Sequence, residues 1–520
     1  MGQLATRKRS CGGFSTLEIL VAMTVLVLSI VAVLLMQPMT SADTQAEHEA
    51  LDLAQSWIEN EQALARKDFD LVVPTTTSET IDSLTYTTRV AVVTLPDDLT
   101  KQIVATVSWS AAYARSQNVS LTALVTNIDG ATSAHTCSSV LGGDWQHPLL
   151  QNPTQALASL VGDSAGAYAV TDVDAYHGYL YVTALTTAPT NNTFSILTLP
   201  HSGDPQVAGS VDTTGPTVSS GAAAVAVATA AGATYAFVAN AYGANFTTCT
   251  ARANCSQLQV VNVTNPAVPT VVANYKIPPA QVTGSAGAAA GNSIFYANGY
   301  VYLGLTKTTT GPEFNIIDVH DPLHPQWVGG YQVGYAVNAI LVSGAYAYVA
   351  HPTDSSAATP EQVTVLDVSD PAHPTRVSGY HAPDNQGNGK RLYLLGDTLL
   401  LGRTVSGFTH NNDVYWLDDT EPTLLSVHNP NTPQPPGEKV SSSVAGLLVR
   451  DFLEFVLTGT SGTPGNLLVF DITNPLAPAP YASVPLPHAS SGTALDCEGN
   501  TLIVGSNDAS NKGYITLIHP

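Results

Sequence analysis

The chain has 520 residues, with 18 lysine and arginine residues against 40 aspartate and glutamate residues. Its formal net charge of −22 repels nucleic acid and anionic membrane surfaces at long range, so no nucleic-acid partner is expected. The pair Lys390-Arg391 is only a thin candidate for a local basic patch. The length leaves room for about two or three domains.

A basic leader ends at Gly13 and precedes an apolar segment. Residues 7–9 are all basic, and residues 19–36 carry no charge. An uncharged run of about 18 residues reaches the length of a membrane-spanning helix. A secretory signal peptide would place its cleavage site after the apolar segment, whereas Gly13 lies before it. Glu18 stands at the edge of this segment, where a carboxylate is costly unless a cation neutralises it.

This arrangement resembles the leader of type IV prepilins and type II secretion pseudopilins. The resemblance implies that a prepilin peptidase cuts between Gly13 and Phe14 and methylates the new terminus at Phe14. It also implies that Glu18 pairs with the terminal amine of a neighbouring subunit during assembly, because a buried carboxylate needs a buried cation. The partners would then be other pilin subunits and, before assembly, the inner membrane. The alternative is an uncleaved signal anchor.

Residues 14–127 are predicted to form an α+β pilin-like module. Apolar residues at three- and four-residue spacings over 41–69 predict an amphipathic helix. Together with the apolar segment it makes one long N-terminal helix over 14–70, inserted in the membrane up to about residue 36. Runs rich in Val, Thr and Tyr then predict a small antiparallel sheet over 71–127. These runs are Leu84–Leu95, Gln102–Ser110 and Val119–Thr126.

From residue 128 to residue 520 the chain repeats itself. One short apolar run occurs seven times, and several copies continue into an Asp-Pro or Asn-Pro turn. The turn prolines are spaced 56, 49, 51 and 53 residues apart. A period of about 50 residues with several strands per unit indicates an all-β propeller, here of seven blades. The phrases at 259–266 and 363–371 resemble those of LVIVD-repeat propellers.

The seventh repeat unit lacks its outer strand. Segment 152–160 matches the outer-strand pattern and is predicted to close the ring, which would remove exposed sheet edges. In an exported chain the four cysteines that follow the leader predict two disulfides. The propeller interpretation places Cys137 and Cys497 near the seventh blade, so we expect them to pair, and Cys249 to pair with Cys255. The alternative for the distant pair is two unrelated buried thiols.

No acid–base pair stands out from the repeat pattern, so the sequence predicts no catalytic residue, metal or cofactor and no enzyme. Asp172 and Asp174 have the oxygen donors that calcium prefers, but a solvated turn is the favoured interpretation.

The leading function is a minor-pilin-like subunit that displays its propeller for adhesion or partner recognition, with an unknown surface ligand. It would move from the inner membrane to an extracellular pilus or the cell surface. One alternative is a pseudopilin of a periplasmic pseudopilus, whose propeller contacts cargo or secretin. The other, less favoured, is a surface-tethered propeller enzyme.

Overall fold

The computed structural model describes most of the chain from residue 45 onward. The described residues are 45–62, 64, 72–94, 100–111, 115–126, 137, 141–151, 155–163, 168–188, 191–200, 204–213, 221–241, 256–284, 288–353, 361–382, 387–404, 413–419, 421–422, 426–427, 440, 442–459, 466–474, 477–487 and 490–520. The leader and the apolar segment lie outside them. The chain divides into two compact units, with the boundary after Thr126.

The first unit packs one helix on one sheet. Helix α1 covers residues 45–62. The sheet is antiparallel in the order β1-β2-β3-β4. Its strands are β1 (Thr75–Ile81), β2 (Leu84–Thr94), β3 (Thr100–Ala111) and β4 (Arg115–Thr126). Ala46, Ala50 and Ala54 lie one helical turn apart and pack against Tyr86 and Trp109 of the sheet, where small side chains let the helix approach closely.

The predicted fold class, an α+β pilin-like module built on a long N-terminal helix, is wrong for this chain. The described part is nearly all β and consists of four-stranded sheets, with helices only at α1 and at α2 (Leu157–Val161). None of the described helices is both long and apolar enough to cross a membrane. The three- and four-residue spacing over 41–69 predicted an amphipathic helix, and α1 satisfies it by packing its alanine face on the sheet.

The second unit contains seven four-stranded antiparallel sheets among its described residues, which we call blades 1 to 7. Blade 1 is β6 (Tyr168–Tyr176), β7 (Tyr179–Thr186), β8 (Phe194–Thr198) and β9 (Val207–Val211); blade 2 is β10 (Ala222–Ala230), β11 (Ala233–Asn240), β12 (Leu258–Asn262) and β13 (Thr270–Tyr275); blade 3 is β14 (Gly291–Ala297), β15 (Tyr300–Leu305), β16 (Phe314–Asp318) and β17 (Gln326–Tyr331). Blade 4 is β18 (Ala339–Ser343), β19 (Tyr346–Ala350), β20 (Val363–Asp367) and β21 (Thr375–Tyr380); blade 5 is β22 (Asn388–Leu395), β23 (Thr398–Thr404), β24 (Val414–Asp418) and β25 (Ser426–Val427). Blade 6 is β26 (Val444–Arg450), β27 (Leu453–Thr458), β28 (Asn466–Asp471) and β29 (Ala479–Pro485); blade 7 is β30 (Ser491–Glu498), β31 (Thr501–Asn507), β32 (Gly513–His519) and β5 (Leu149–Gln151).

The blades form a closed ring around their first strands. These inner strands touch in the order β6, β10, β14, β18, β22, β26, β30 and back to β6. The second and third strands of a blade, such as β11 and β12, are buried almost throughout because neighbouring blades cover both faces. The unit is therefore a β-propeller.

The repeated Asp-Pro or Asn-Pro turns pack one blade onto the next. A Cβ atom added to Gly209 of blade 1 would lie 2.2 Å from the carbonyl oxygen of Pro266 in blade 2. A Cβ atom added to Gly329 of blade 3 would lie equally close, 2.2 Å, to the carbonyl oxygen of Pro371 in blade 4. The turn thus fits against a glycine in the outer strand of the preceding blade, which gives the repeated motif a packing role.

The ring closes through β5, a three-residue strand that lies immediately upstream of the predicted segment 152–160. Leu150 pairs with Ile518, and Leu149 pairs with His519. Residues 157–160 of the predicted segment instead belong to α2. The sequence match was to a short, degenerate pattern, and such a pattern does not determine strand register.

A segment that we call the strap, Cys137 and residues 141–148, holds the seam between blades 6 and 7. Trp145 packs edge-on against Phe455, with ring centres 5.1 Å apart. The Trp145 indole and the Asn500 side-chain amide both donate hydrogen bonds to the carbonyl oxygen of Gly142. The strap thus contacts both blades at the seam, where β5 and β32, the first and last strands of the propeller, pair.

Candidate functional site

The two faces of the propeller differ in the length of their connections. The hairpins that join the first and second strands of the blades, among the described strands, contain two residues each, such as 231–232. We call their side the hairpin face and the opposite side the loop face. Within blades 1 to 7, consecutive strands separated by more than eight residues, such as β11 and β12 or β13 and β14, have the ends that they join on the loop face. Cys137 forms an isolated backbone β-bridge with Gly499, which lies in the hairpin between β30 and β31 of blade 7. The chain therefore enters the ring on the hairpin face.

The inner strands line a central cavity of about 250 Å³. Asp172, Asp174, Asp496 and Arg391 are its charged lining residues. Asp174 and Asp496 are almost fully buried, at 6% and 2% exposure. Convergent polar groups inside a cavity are a usual feature of a ligand site, so this cavity is the candidate site.

The three carboxylates bind backbone groups of neighbouring blades. Asp172 accepts a hydrogen bond from the amide of Val225 at 3.1 Å, and Asp174 accepts one from the amide of Val227 at 2.6 Å. Asp496 of blade 7 accepts a hydrogen bond of 2.5 Å from the backbone amide of Ala175 in blade 1. These bonds satisfy buried amides and carboxylates together, and they connect blades 7, 1 and 2 around the cavity.

The interpretation of Asp172 and Asp174 as solvated turn residues is wrong, since both lie within inner strand β6. The missed signal is their alternation with Val173 and Ala175, because alternate residues of a strand share one face. Burial raises the pKa of Asp172 to about 6, although the Arg391 guanidinium acts to lower it.

Polar side chains from blades 1, 3 and 4 lie at the end of the cavity on the loop face. Thr171, Asn292 and Asn338 each donate a hydrogen bond of 2.7 Å to a carbonyl oxygen in the next blade. Thr171 and Asn292 are extra residues in β-bulges of their inner strands. A bulge re-aims a side chain, here towards the neighbouring blade. Lys390 is the corresponding bulge residue of β22.

Arg391 and Lys390 behave differently although they are neighbours. Arg391 crosses blade 6 and donates hydrogen bonds to the carbonyl oxygens of Ala445 at 2.6 Å and Thr493 at 2.9 Å. Lys390 is half-buried, and its amine makes no hydrogen bond or ion pair within the described part of the chain. Burial, with a further contribution from the adjacent Arg391, lowers the pKa of Lys390 to about 8.

Of the residues predicted from sequence, the described part of the chain contains Cys137 and Cys497, which form a disulfide with Cα atoms 5.3 Å apart. The guanidinium of Arg450 lies 3.0 Å from the Cys497 sulfur. The second predicted pair, Cys249 and Cys255, lies outside the described residues, as do Gly13, Phe14 and Glu18.

Comparison with known proteins supports the repeat assignment. Residues 334–382, which contain blade 4, match the family model of the LVIVD repeat. Curated proteins yield no match. Among solved structures, a hypothetical selenium-binding protein from Sulfolobus tokodaii is 11% identical with a TM-score of 0.43, and the match covers 67% of this chain and 88% of that one. A candidate 6-phosphogluconolactonase from Bacteroides uniformis is 12% identical with a TM-score of 0.41, covering 61% of this chain and 85% of that one.

The class that fold and repeat define is a seven-bladed β-propeller protein with an LVIVD repeat in blade 4. The matched family model lies wholly within the propeller, so the prepilin resemblance of the N-terminal region stays a prediction.

Proposed function

We propose that this protein is an exported recognition protein that binds a surface ligand through the loop face of its propeller. The observation that carries the proposal is the segregation of the long connections to the face opposite the entry of the chain. Binding residues tend to lie on variable loops held by a rigid scaffold. A ring closed by β5, the strap and a disulfide is such a scaffold.

The leader supplies the route of export in this proposal. A prepilin peptidase cuts between Gly13 and Phe14, and Glu18 takes part in assembly with other pilin-type subunits. The chain begins in the inner membrane and ends at the cell surface or on a pilus. Mass spectrometry of the mature protein should find an N-methylated terminus at Phe14. A mature protein that begins at Met1 would contradict this route.

Electron microscopy of immunolabelled cells tests the proposed location. An antibody raised against the propeller should label the surface of intact cells or filaments sheared from them. A mutant strain that lacks the protein gives the background. Label confined to the periplasm of opened cells would contradict surface display and would favour the pseudopilin alternative.

A further inference from the structure

Arg450 of blade 6 is a buried cation that contacts one sulfur atom of the seam disulfide. The residue is only 4% exposed. One guanidinium nitrogen donates a hydrogen bond of 3.0 Å to the Cys497 sulfur in blade 7. The other terminal nitrogen donates to the Tyr393 hydroxyl at 2.6 Å and to the carbonyl oxygen of Val449 at 2.7 Å. These bonds to blades 5 and 6 hold the guanidinium against the Cys497 sulfur.

This contact favours the reduced form of Cys497 over the disulfide. A disulfide sulfur carries no charge and accepts a hydrogen bond weakly, whereas a thiolate is an anion that a guanidinium stabilises. Burial strengthens the attraction, because water does not screen the two charges there. A disulfide whose reduced form is stabilised is a stronger oxidant, and the sulfur that is more stable as a thiolate is the better leaving group.

The carboxylate of Asp496 also lies near the disulfide, and its charge opposes the formation of a thiolate. One of its oxygen atoms is within 4.8 Å of both sulfur atoms. It therefore acts on Cys137 as well as on Cys497 and does not distinguish them. The difference between the two sulfur atoms comes from Arg450, whose hydrogen bond is to Cys497.

Cys137 is the sulfur that an external thiol reaches first. It belongs to the strap and lies beside Gly499, in a hairpin on the hairpin face. Cys137 is 7% exposed, whereas Cys497, which lies within β30, is 1% exposed. The strap is held by local contacts such as that of Trp145 with Phe455, so its opening does not require a blade to unfold.

We propose that the seam disulfide is a redox switch that a small thiol opens in one direction. The thiolate of the reductant attacks the Cys137 sulfur and forms a mixed disulfide with it, and the electron pair of the broken bond stays on Cys497 as a thiolate that Arg450 holds. A second thiol then releases Cys137, so two thiols are oxidised to one disulfide for each seam bond that is reduced.

Opening of the switch removes the covalent link between the strap and blade 7. The seam is then closed by noncovalent contacts, among them the pairing of the three-residue strand β5 with β32. The switch is a property of the seam and does not depend on the proposed recognition function, so surface labelling of cells and the experiment below can fail independently.

Trapping of the mixed disulfide in the full-length protein tests the proposal. The folded, oxidised protein is incubated with reduced glutathione without denaturant, quenched with N-ethylmaleimide and mapped by mass spectrometry. Glutathione should be found on Cys137 and the maleimide on Cys497, in several-fold excess over the reverse arrangement. Equal modification of the two cysteines, glutathione mainly on Cys497, or a bond that resists glutathione until the protein unfolds would overturn the proposal.

Variants separate the effect of the guanidinium from a general loosening of the seam. Arg450→Met keeps a long side chain but removes the charge, so the excess of glutathione on Cys137 should fall several-fold. Arg450→Lys, which keeps a positive charge, should retain part of that excess. The matched control is Arg376→Met, which removes an exposed arginine paired with Glu361 in blade 4 and should leave the excess unchanged.

An unchanged excess in Arg450→Met would overturn the proposal, even if reduction became faster, because faster reduction alone reports a looser seam. If Arg450→Met does not fold, the preference between Cys137 and Cys497 in the native protein still decides.

Discussion

Replacement of both seam cysteines, Cys137→Ala with Cys497→Ala, is expected to destabilise the propeller strongly. The disulfide joins residues 360 positions apart. In the chain-entropy model, closing a loop of that length restricts the unfolded chain by about 20 cal/mol/K, or about 6 kcal/mol at 25 °C. Residual structure in the unfolded chain reduces this value, so we expect a loss of about 2–5 kcal/mol in the free energy of unfolding.

Urea unfolding under non-reducing conditions measures this loss, and tryptophan fluorescence follows it because Trp145 lies at the seam. The matched control is Cys249→Ala with Cys255→Ala, which removes the other predicted pair. Its loop is about sixty times shorter, so the model assigns it a smaller loss of about 2 kcal/mol. Equal unfolding midpoints for the seam variant and the native protein would refute the reasoning, as would free thiols at Cys137 and Cys497 in peptide mapping.

Three further predictions concern the strap, the cavity and the blade contacts. Trp145→Ala removes a side chain that is only 2% exposed and should cost about 3–5 kcal/mol in the same urea titration. Asp172 has a folded pKa raised to about 6 from 3.8, so its stabilisation is complete below the lower value and is lost as pH rises through the higher one. As pH rises from 3.8 to about 6, the native protein should lose this contribution to its melting temperature, whereas Asp172→Asn should not. Parallel curves of melting temperature against pH for the two proteins would contradict this. Gly329→Ala forces a methyl group against the carbonyl of Pro371 and should cost about 1–3 kcal/mol, whereas Gly142→Ala, which meets nothing closer than 3.8 Å, should be nearly neutral.

The propeller was predictable from sequence because its signals are local. The apolar run Val363–Leu366 lies within β20, and the run Leu258–Val261 lies within β12. Both precede a Pro turn that recurs at a nearly constant spacing. Short strands bounded by such turns are recognisable from neighbouring residues alone.

The seam and the cavity depend instead on contacts between distant parts of the chain. β5 is a strand only because β32 pairs with it, and the two lie more than 360 residues apart. Asp172 lines the central cavity only because the closed ring brings Asp496 beside blade 1. No local pattern records such pairings, so the closing strand was misplaced and the carboxylates were interpreted as turn residues.

The different surroundings of Lys390 and Arg391 could not be predicted from the sequence. The pair Lys390-Arg391 was considered only as a basic patch. The β-bulge assigns the two side chains different surroundings, with Arg391 bonded across blade 6 and Lys390 unpartnered among the described residues. The prediction of one long N-terminal helix is wrong: the apolar spacing over 41–69 indicated a helix, and among the described residues α1 accounts for it within 45–62.

Occlusion of one face at a time tests most directly whether the loop face is the recognition surface. A short epitope tag is inserted into connection 241–257 on the loop face in one strain and into connection 199–206 on the hairpin face in another. Exposed connections tolerate insertions better than strands do. Attachment of the cells of each strain to a glass surface is then measured with and without an Fab fragment against the tag. The account predicts that the Fab abolishes attachment only when the tag is on the loop face, and attachment blocked only from the hairpin face would contradict it.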